Sequence, residues 1–290
     1  MRSNFFAFTR DETTKHETPA RDAQGAIVKS KTCTILKALA MSWILALAAC
    51  GSSGGNGGAA PAPPAASAQG LWIGSTSASR SITSIVLDDG TYWILYSLAG
   101  ASSFIAGVVQ GTGTSVNGSF TSTDGIDFHL EARGISNATL SASYVAKQSF
   151  DGAVTYPNLN QTYTFTSSYN SDYDQTPSVA AIAGTYVGPA SVKGGDELTT
   201  LVINSLGVVA GTGIEIATQT VGCQFVGTAR PRASGNIYDL SVVVSGVGAC
   251  ASGPSAVKGI GYFDANAKRF YLAALDKSRS DGLIFVGIQR

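Results

Sequence analysis

From Gly70 onward, hydrophobic and polar residues alternate with a period of two, which is typical of β-strands. Two such segments, 81–87 and 91–96, flank Asp89-Gly90, and Asp-Gly in this setting predicts a hairpin turn. No stretch in this region carries an apolar pattern of period 3.6 over three turns. Short strands spaced about ten residues apart predict antiparallel barrels or sandwiches. The other predicted strands are 104–109, 116–120, 126–131, 139–145, 150–156, 162–167, 198–203, 222–229, 237–244, 257–263, 269–275 and 283–288.

The two halves of this region repeat one plan. Gly70-Leu-Trp-Ile-Gly74 opens the first half and Gly184-Thr-Tyr-Val-Gly188 opens the second, each with an aromatic residue between glycines. Gly111-Thr-Gly113 and Gly211-Thr-Gly213 also correspond, and we expect both to form turns. The sequence therefore predicts an all-β protein of two tandem related antiparallel β-barrel or β-sandwich domains, at 70–178 and 179–290. A single larger barrel is the alternative.

The segment before the strands has the order of a secretory signal. Residues 28–49 contain Lys29, Lys31 and Lys37 followed by an apolar run at 38–47, which is too short to span a bilayer as a helix. Residues 1–27 do not belong to this pattern, and we interpret them as a non-native extension or the result of a mis-assigned start codon. Residues 50–69 are rich in Gly, Pro, Ala and Ser, which predicts a flexible tether.

The apolar run ends in Leu47-Ala48-Ala49-Cys50, which resembles the lipobox of bacterial lipoproteins. The resemblance implies cleavage before Cys50, a diacylglycerol thioether on Cys50 and acylation, for example with palmitate, of the new amino terminus. Several acyl chains anchor a protein stably to a membrane. Gly51 in place of aspartate favours the outer membrane. An ordinary signal peptide with a chance cysteine is the alternative.

Cys223 and Cys250 are the cysteines that remain after the signal and the lipidation site. Outside the cytoplasm, two cysteines most simply form a disulfide with each other. Closing this loop would stabilise the fold by about 3.6 kcal/mol in the chain-entropy model. Free thiols are the alternative.

Composition and charge exclude several classes of protein. Charged residues make up 13% of the chain and the formal net charge is zero, which argues against a nucleic-acid-binding protein. The charge is unevenly divided, with a net charge of −5 over 70–178 and +2 over 179–290. Such asymmetry can steer a partner or orient the two halves against each other, but we favour the simpler explanation of two solvated surfaces whose charge has drifted.

The sequence offers little catalytic chemistry, and we expect no enzyme, no cofactor and no metal site. His129 is the one histidine after the signal, and alternation places it with Asp127 and Glu131 on a face opposite Ile126, Phe128 and Leu130. We interpret that polar face as a solvent-exposed strand surface. The acidic pair Asp88-Asp89 fits a turn, and the pair Asp196-Glu197 fits a loop.

Aromatic residues concentrate in the first half and give the one indication of a site. We name Trp72, Tyr92, Trp93 and Tyr96 as candidate ligand-binding residues, because exposed Tyr and Trp on a rigid sheet suit recognition. Strand-stabilising or core packing is the alternative.

With its tether, this architecture resembles two-repeat β-rich lipoproteins of proteobacteria and, more distantly, surface lipoproteins of the transferrin-binding and factor-H-binding types. The resemblance implies a non-enzymatic binding module at the cell envelope for a protein, a glycan or a small ligand. A structural lipoprotein that maintains the envelope from the periplasmic side is the alternative.

Overall fold

The computed structural model describes residues 66–131, 134–216, 218–253 and 255–290. The predicted extension, signal peptide, lipidated Cys50 and the tether up to residue 65 lie outside the described residues. Those assignments therefore stay predictions, as does the domain boundary between 178 and 179.

The first half forms a closed antiparallel barrel, which we call barrel 1. Eight pairs of hydrogen-bonded strands form the wall of the barrel. Seven of these pairs join strands that are consecutive in the chain or join the first strand to the last. Closure depends on the eighth, in which β4 pairs with β6 from Gly107 opposite His129 to Gln110 opposite Ile126. The short β5 pairs with the first residues of β6, Ser119 to Thr121. The strands are β1 Gly70–Thr76, β2 Ser81–Val86, β3 Thr91–Leu98, β4 Ala101–Thr112, β5 Thr114–Val116, β6 Ser119–His129, β7 Gly134–Val145, β8 Ser149–Tyr156 and β9 Gln161–Tyr169.

The second half forms barrel 2, in which eight strands pair in chain order and the last pairs with the first. A four-residue helix, α1 Val179–Ile182, precedes it. The strands are β10 Gly184–Val192, β11 Gly195–Ile203, β12 Val208–Glu215, β13 Val221–Pro231, β14 Tyr238–Gly246, β15 Ser255–Asp264, β16 Arg269–Leu275 and β17 Gly282–Gln289. The all-β fold of two tandem barrels is confirmed, and the single larger barrel does not form.

The two barrels begin in the same way, as the repeated aromatic motif predicts. Trp72 and Tyr186 occupy corresponding places on β1 and β10, and both are fully buried. The indole Nε1 of Trp72 donates a hydrogen bond to the carbonyl of Ala68, and the Tyr186 hydroxyl donates to the carbonyl of Ile182. In each barrel the aromatic side chain therefore anchors the segment four residues before it.

A third apolar core joins the two barrels. Barrel 1 contributes outward-facing side chains that include Trp93 and Phe128, and barrel 2 contributes Ile260, Tyr262 and Ile284. Because these strands carry apolar residues on both faces, their outer face is covered by the other barrel instead of by water. The two barrels are therefore packed against each other.

Two arginines of barrel 2 extend this contact. Arg232 pairs with Asp88 of barrel 1 at 2.8 Å and with Asp239 of its own barrel at 2.6 Å. Arg279 donates from Nη2 to the carbonyls of Gln110 and Asp124, at 2.6 and 2.8 Å. Some of the unequal charge of the two halves is thus used in pairing the barrels.

The predicted turns at Gly111–Gly113 and Gly211–Gly213 are wrong, because Gly111 and the whole second motif lie in strands. Their glycines make room for neighbouring side chains. A Cβ on Gly111 would lie 2.5 Å from the Tyr92 hydroxyl, and a Cβ on Gly213 would lie 1.9 Å from the Glu197 carboxylate. Close packing inside the lumens, and not chain reversal, explains these glycines.

Candidate functional site

One end of barrel 1 holds a cavity of about 170 Å³. This volume suits one aromatic ring, since an apolar protein cavity of about 150 Å³ accommodates benzene. Small eight-stranded barrels either fill their interior with side chains or hold one small ligand there. The apolar wall consists of Ile82, Ile94, Val109, Val154, Leu159 and Phe165.

The polar face of β6 forms the inner side of this end of the barrel. Asp127 is 0% exposed and points into the barrel, although we expected its face to contact solvent. That expectation is wrong because the opposite face, with Phe128 and Ile126, packs in the core between the barrels. Alternation correctly separates the two faces of the strand but does not say which of them is covered by a second domain.

Asp127 is the centre of a hydrogen-bonded cluster. Its Oδ1 accepts the hydroxyl of Tyr96 at 2.9 Å, and its Oδ2 accepts the hydroxyl of Tyr156 at 2.5 Å. His129 Nδ1 lies 3.0 Å from the Tyr96 hydroxyl oxygen. Because Tyr96 donates its only proton to Asp127, its oxygen is free to accept the Nδ1 proton of His129. His129 Nε2 lies 3.3 Å from Asp127 Oδ2, within ion-pair distance but out of line for a hydrogen bond.

Burial dominates the acid–base properties of the cluster. It raises the pKa of Asp127, while His129 and the two tyrosine hydroxyls oppose the shift by favouring the carboxylate. Burial also raises the pKa of Tyr96 and of Tyr156, and the negative charge of Asp127 adds to both shifts. Both phenols therefore stay protonated and act as hydrogen-bond donors at physiological pH.

The rim of the cavity carries a partly exposed ion pair. Arg80 Nη2 lies 2.8 Å from Glu131 Oε2, with side-chain exposures of 24% and 44%. The same guanidinium donates from Nη1 to the carbonyl of Ser97 at 2.8 Å and lies over the Tyr96 ring, 5.5 Å from its centroid. Arg80 was not among the residues that the sequence pattern indicated. Because Arg80 lies far from β6 in the chain, no local sequence pattern links it to Glu131.

The structure separates the four candidate aromatic residues. Trp72, Tyr92 and Tyr96 belong to the core of barrel 1, whereas Trp93 lies in the core between the barrels. Of the four, Tyr96 lines the cavity, together with Tyr156 and Tyr163. Tyr92 donates a hydrogen bond to Ser122, and burial raises its pKa to about 12. The ligand-binding role of the four stays a prediction, and the geometry gives Tyr96 the most direct access to a ligand.

A larger polar depression of about 580 Å³ lies where the described chain begins. Its charged side chains already have partners. Lys147 Nζ lies 2.7 Å from Asp174, and Arg232 pairs with acids of both barrels. We therefore regard the smaller, more apolar cavity of barrel 1 as the better candidate site.

The predicted disulfide between Cys223 and Cys250 is present, and both cysteines are buried in the core of barrel 2. Asp89 shows the expected turn chemistry, because its Oδ1 accepts the backbone N–H of Thr91. The loop expected at Asp196 and Glu197 is wrong, since both lie in β11. Glu197 points into barrel 2 and accepts the Cys223 backbone N–H at 2.8 Å.

Within the described ranges, no group of three or more His, Cys, Asp or Glu side chains is placed to hold a metal ion. The cluster around Asp127 contains neither serine nor cysteine, so no Ser-His-Asp arrangement forms there. Among the same residues, no helix has the length and apolar character needed to cross a membrane.

Comparison with solved structures gives a distant likeness. No protein-family model and no curated protein matches the chain. Among solved structures it is similar to the isotype 1 transferrin binding protein B from serogroup B Neisseria meningitidis, with 9% identity and a TM-score of 0.30. The match covers 73% of this chain and 58% of that one, so this chain spans less than two thirds of the solved protein. A likeness this distant says nothing about the ligand.

Proposed function

We propose that this protein is a non-enzymatic binding module of the bacterial cell envelope, anchored through lipid on Cys50, that holds a small ligand in the cavity of barrel 1. The observation that carries the proposal is the cavity itself. It combines aliphatic and aromatic walls with a few convergent polar groups, which is the usual composition of small-molecule sites.

The position of the cavity also supports a binding role. The chain enters barrel 1 at Ala66 and Ala68, where Tyr144 and Ser115 hold its backbone through hydrogen bonds. β1 then runs to Thr76, which lies on the cavity wall at the other end of the strand. The predicted tether therefore joins barrel 1 at the end opposite the cavity.

Ligand binding is tested on the mature chain from residue 50, purified with Cys50→Ser and screened by ligand-observed NMR against a library of single-ring compounds. Val154→Phe places an additional ring in the cavity wall, so we expect it to abolish binding. Val226→Phe is the matched control, because Val226 is 62% exposed on the outside of barrel 2. If Val154→Phe does not fold, Leu159→Trp at the cavity mouth replaces it.

The result that would overturn the ligand proposal is the absence of any binding, or binding that survives both cavity variants. Glycan arrays and host-protein pull-downs on the same sample would then test the other ligand classes.

The anchor is tested separately. Cells given a labelled fatty acid should incorporate it into the wild-type chain and not into Cys50→Ser, and equal labelling would reject Cys50 as the lipidation site. Protease treatment of intact cells then locates the barrels. Cleavage while a periplasmic control survives would support a surface-exposed binding module. Protection would favour the alternative, an envelope-maintenance role facing the periplasm.

A further inference from the structure

We infer that the ligand of the barrel 1 cavity is a single-ring aromatic carboxylate, and that its carboxylate replaces Glu131 on Arg80. This inference rests on the proposed function and names the chemical class of ligand for the same cavity. Glu131 then acts as an internal competitor that occupies the anion position while the cavity is empty.

Arg80 is a fixed cation at the rim. Its Nη1 is held by the Ser97 carbonyl, and its guanidinium lies against the Tyr96 ring. Ser97 also accepts the backbone N–H of Ser81 on its own hydroxyl, so the loop before β2 is tied to β3 beside Arg80. These contacts do not involve Glu131. Arg80 therefore keeps its position when its acidic partner is exchanged.

Glu131 is the weaker half of the pair. It follows the end of β6 at His129, and its side chain is 44% exposed. Ion pairs between exposed side chains contribute little to stability, because water screens them and ordering two long side chains costs entropy. A ligand ring buried in the cavity holds its carboxylate beside Nη2, and burial of that apolar ring offsets the entropy lost on association. Exchange of the two anions is therefore feasible.

The walls of the cavity favour an aromatic ring on the ligand. Tyr156 and Tyr163 stand edge to face with centroids 6.0 Å apart, and Phe165 lies on the same wall. Aromatic pairs prefer such tilted arrangements, which a third ring can extend. The volume of about 170 Å³ limits the ligand to one ring with a short substituent.

The charge of the ligand follows from the difference between Arg80 and Glu131. A ligand ammonium group would have to bind to Glu131, which is exposed, and it would then lie close to the positive charge of the Arg80 guanidinium. A carboxylate would be held by the anchored guanidinium, and a charge-assisted hydrogen bond of this kind is about twice as strong as a neutral one. The geometry thus favours an anion over a cation or a neutral ring.

The test compares benzoate, benzyl alcohol and benzylamine by titration calorimetry on the mature chain with Cys50→Ser. We expect benzoate to bind about tenfold more tightly than benzyl alcohol, the difference that one charged hydrogen bond supplies. Arg80→Gln should remove this preference. Glu131→Gln should increase benzoate affinity about threefold, because the competing anion is gone. Arg230→Gln, an exposed arginine on barrel 2, is the matched control and should change nothing.

The outcomes separate this inference from the proposed function. If the three compounds bind equally, or if Glu131→Gln does not strengthen benzoate binding, the carboxylate inference is wrong while binding in the cavity still stands. If no single-ring compound binds at all, the proposed function fails first. Arg80→Lys keeps the charge, and partial retention of the preference there would show that the lost charge explains the effect of Arg80→Gln, while circular dichroism of both variants checks that they fold.

Discussion

Barrel 1 and barrel 2 close with the same number of wall strands, but their lumens contain different chemistry. In barrel 2 the lumen is filled by apolar side chains, among them Phe225, Phe270 and Phe285, and by the disulfide. In barrel 1 an apolar core fills one end, while the other end holds the cluster around Asp127 and the cavity. One barrel is thus built for stability, and the other leaves room for a ligand.

A few inward polar residues distinguish the lumen that contains a cavity from the one that is filled. In barrel 1 an acid and two phenols take inward positions and hydrogen-bond to one another, while His129 Nε2 beside them has no hydrogen-bond partner among the described residues. The space that these residues do not fill becomes the cavity. Barrel 2 instead buries one acid, Glu197. Its carboxylate packs against Gly213 and Gly222 and accepts the Cys223 backbone N–H, so it is enclosed by the barrel.

The largest expected difference between the barrels concerns the disulfide. In the double variant Cys223→Ala and Cys250→Ala we expect barrel 2 to lose about 3.5 kcal/mol, since the bond closes a loop with a sequence separation of 27 residues. Urea unfolding is followed by tryptophan fluorescence and by circular dichroism. In the mature chain from residue 50, both tryptophans belong to barrel 1: Trp72 in its core reports that barrel, and Trp93 reports its contact with barrel 2.

We expect the circular dichroism transition to shift to lower urea more than the fluorescence transition does. Equal shifts of both signals would contradict this comparison, because they would mean that the two barrels unfold as one cooperative unit.

A smaller effect is expected at the contact between the barrels. Arg279→Ala removes charged hydrogen bonds to the carbonyls of Gln110 and Asp124, and we expect a loss of about 2 kcal/mol. Arg279→Lys should recover only part of it, because an ammonium group lacks the planar fork. The two unfolding transitions should also separate further. Arg230→Ala is the control, and an equal loss there would refute a specific role for Arg279.

The smallest effect is a difference in pH dependence between one acid of each barrel. Burial raises the pKa of Asp127, so its contribution to stability is full below the ordinary pKa of aspartate and is lost as the pH rises through the raised value. For Asp276, burial acts to raise the pKa, but hydrogen bonds from Ser278 and from neighbouring backbone N–H groups outweigh it and lower the pKa. Asp276 therefore stabilises the fold above the ordinary pKa and loses this effect on acidification.

Urea midpoints across a pH series check these opposite signs. Asp127→Asn should gain stability relative to wild type as the pH rises, whereas Asp276→Asn should be less stable than wild type at neutral pH and equal to it in acid. The same sign for both variants would show that the two carboxyl groups do not differ as described.

Most of the strands were accessible from sequence because their cause is local. A period of two and the Asp89-Gly90 turn need only neighbouring residues, and β2, β3 and β16 were predicted within two residues of their bounds. β12 was missed because its glycines read as a turn signal. In the structure they accommodate a carboxylate that arrives from β11.

By itself, the sequence determined the all-β class, the tandem repeat and the pairing of Cys223 with Cys250. Only the tertiary structure decided that Asp127 faces a lumen, that Arg80 meets Glu131, and that Trp93 lies between the barrels. The physical reason is that alternation divides a strand into two faces without saying what covers either. Closure through β4 and β6 and the packing of barrel 2 against barrel 1 supply that information, and both depend on residues far apart in the chain.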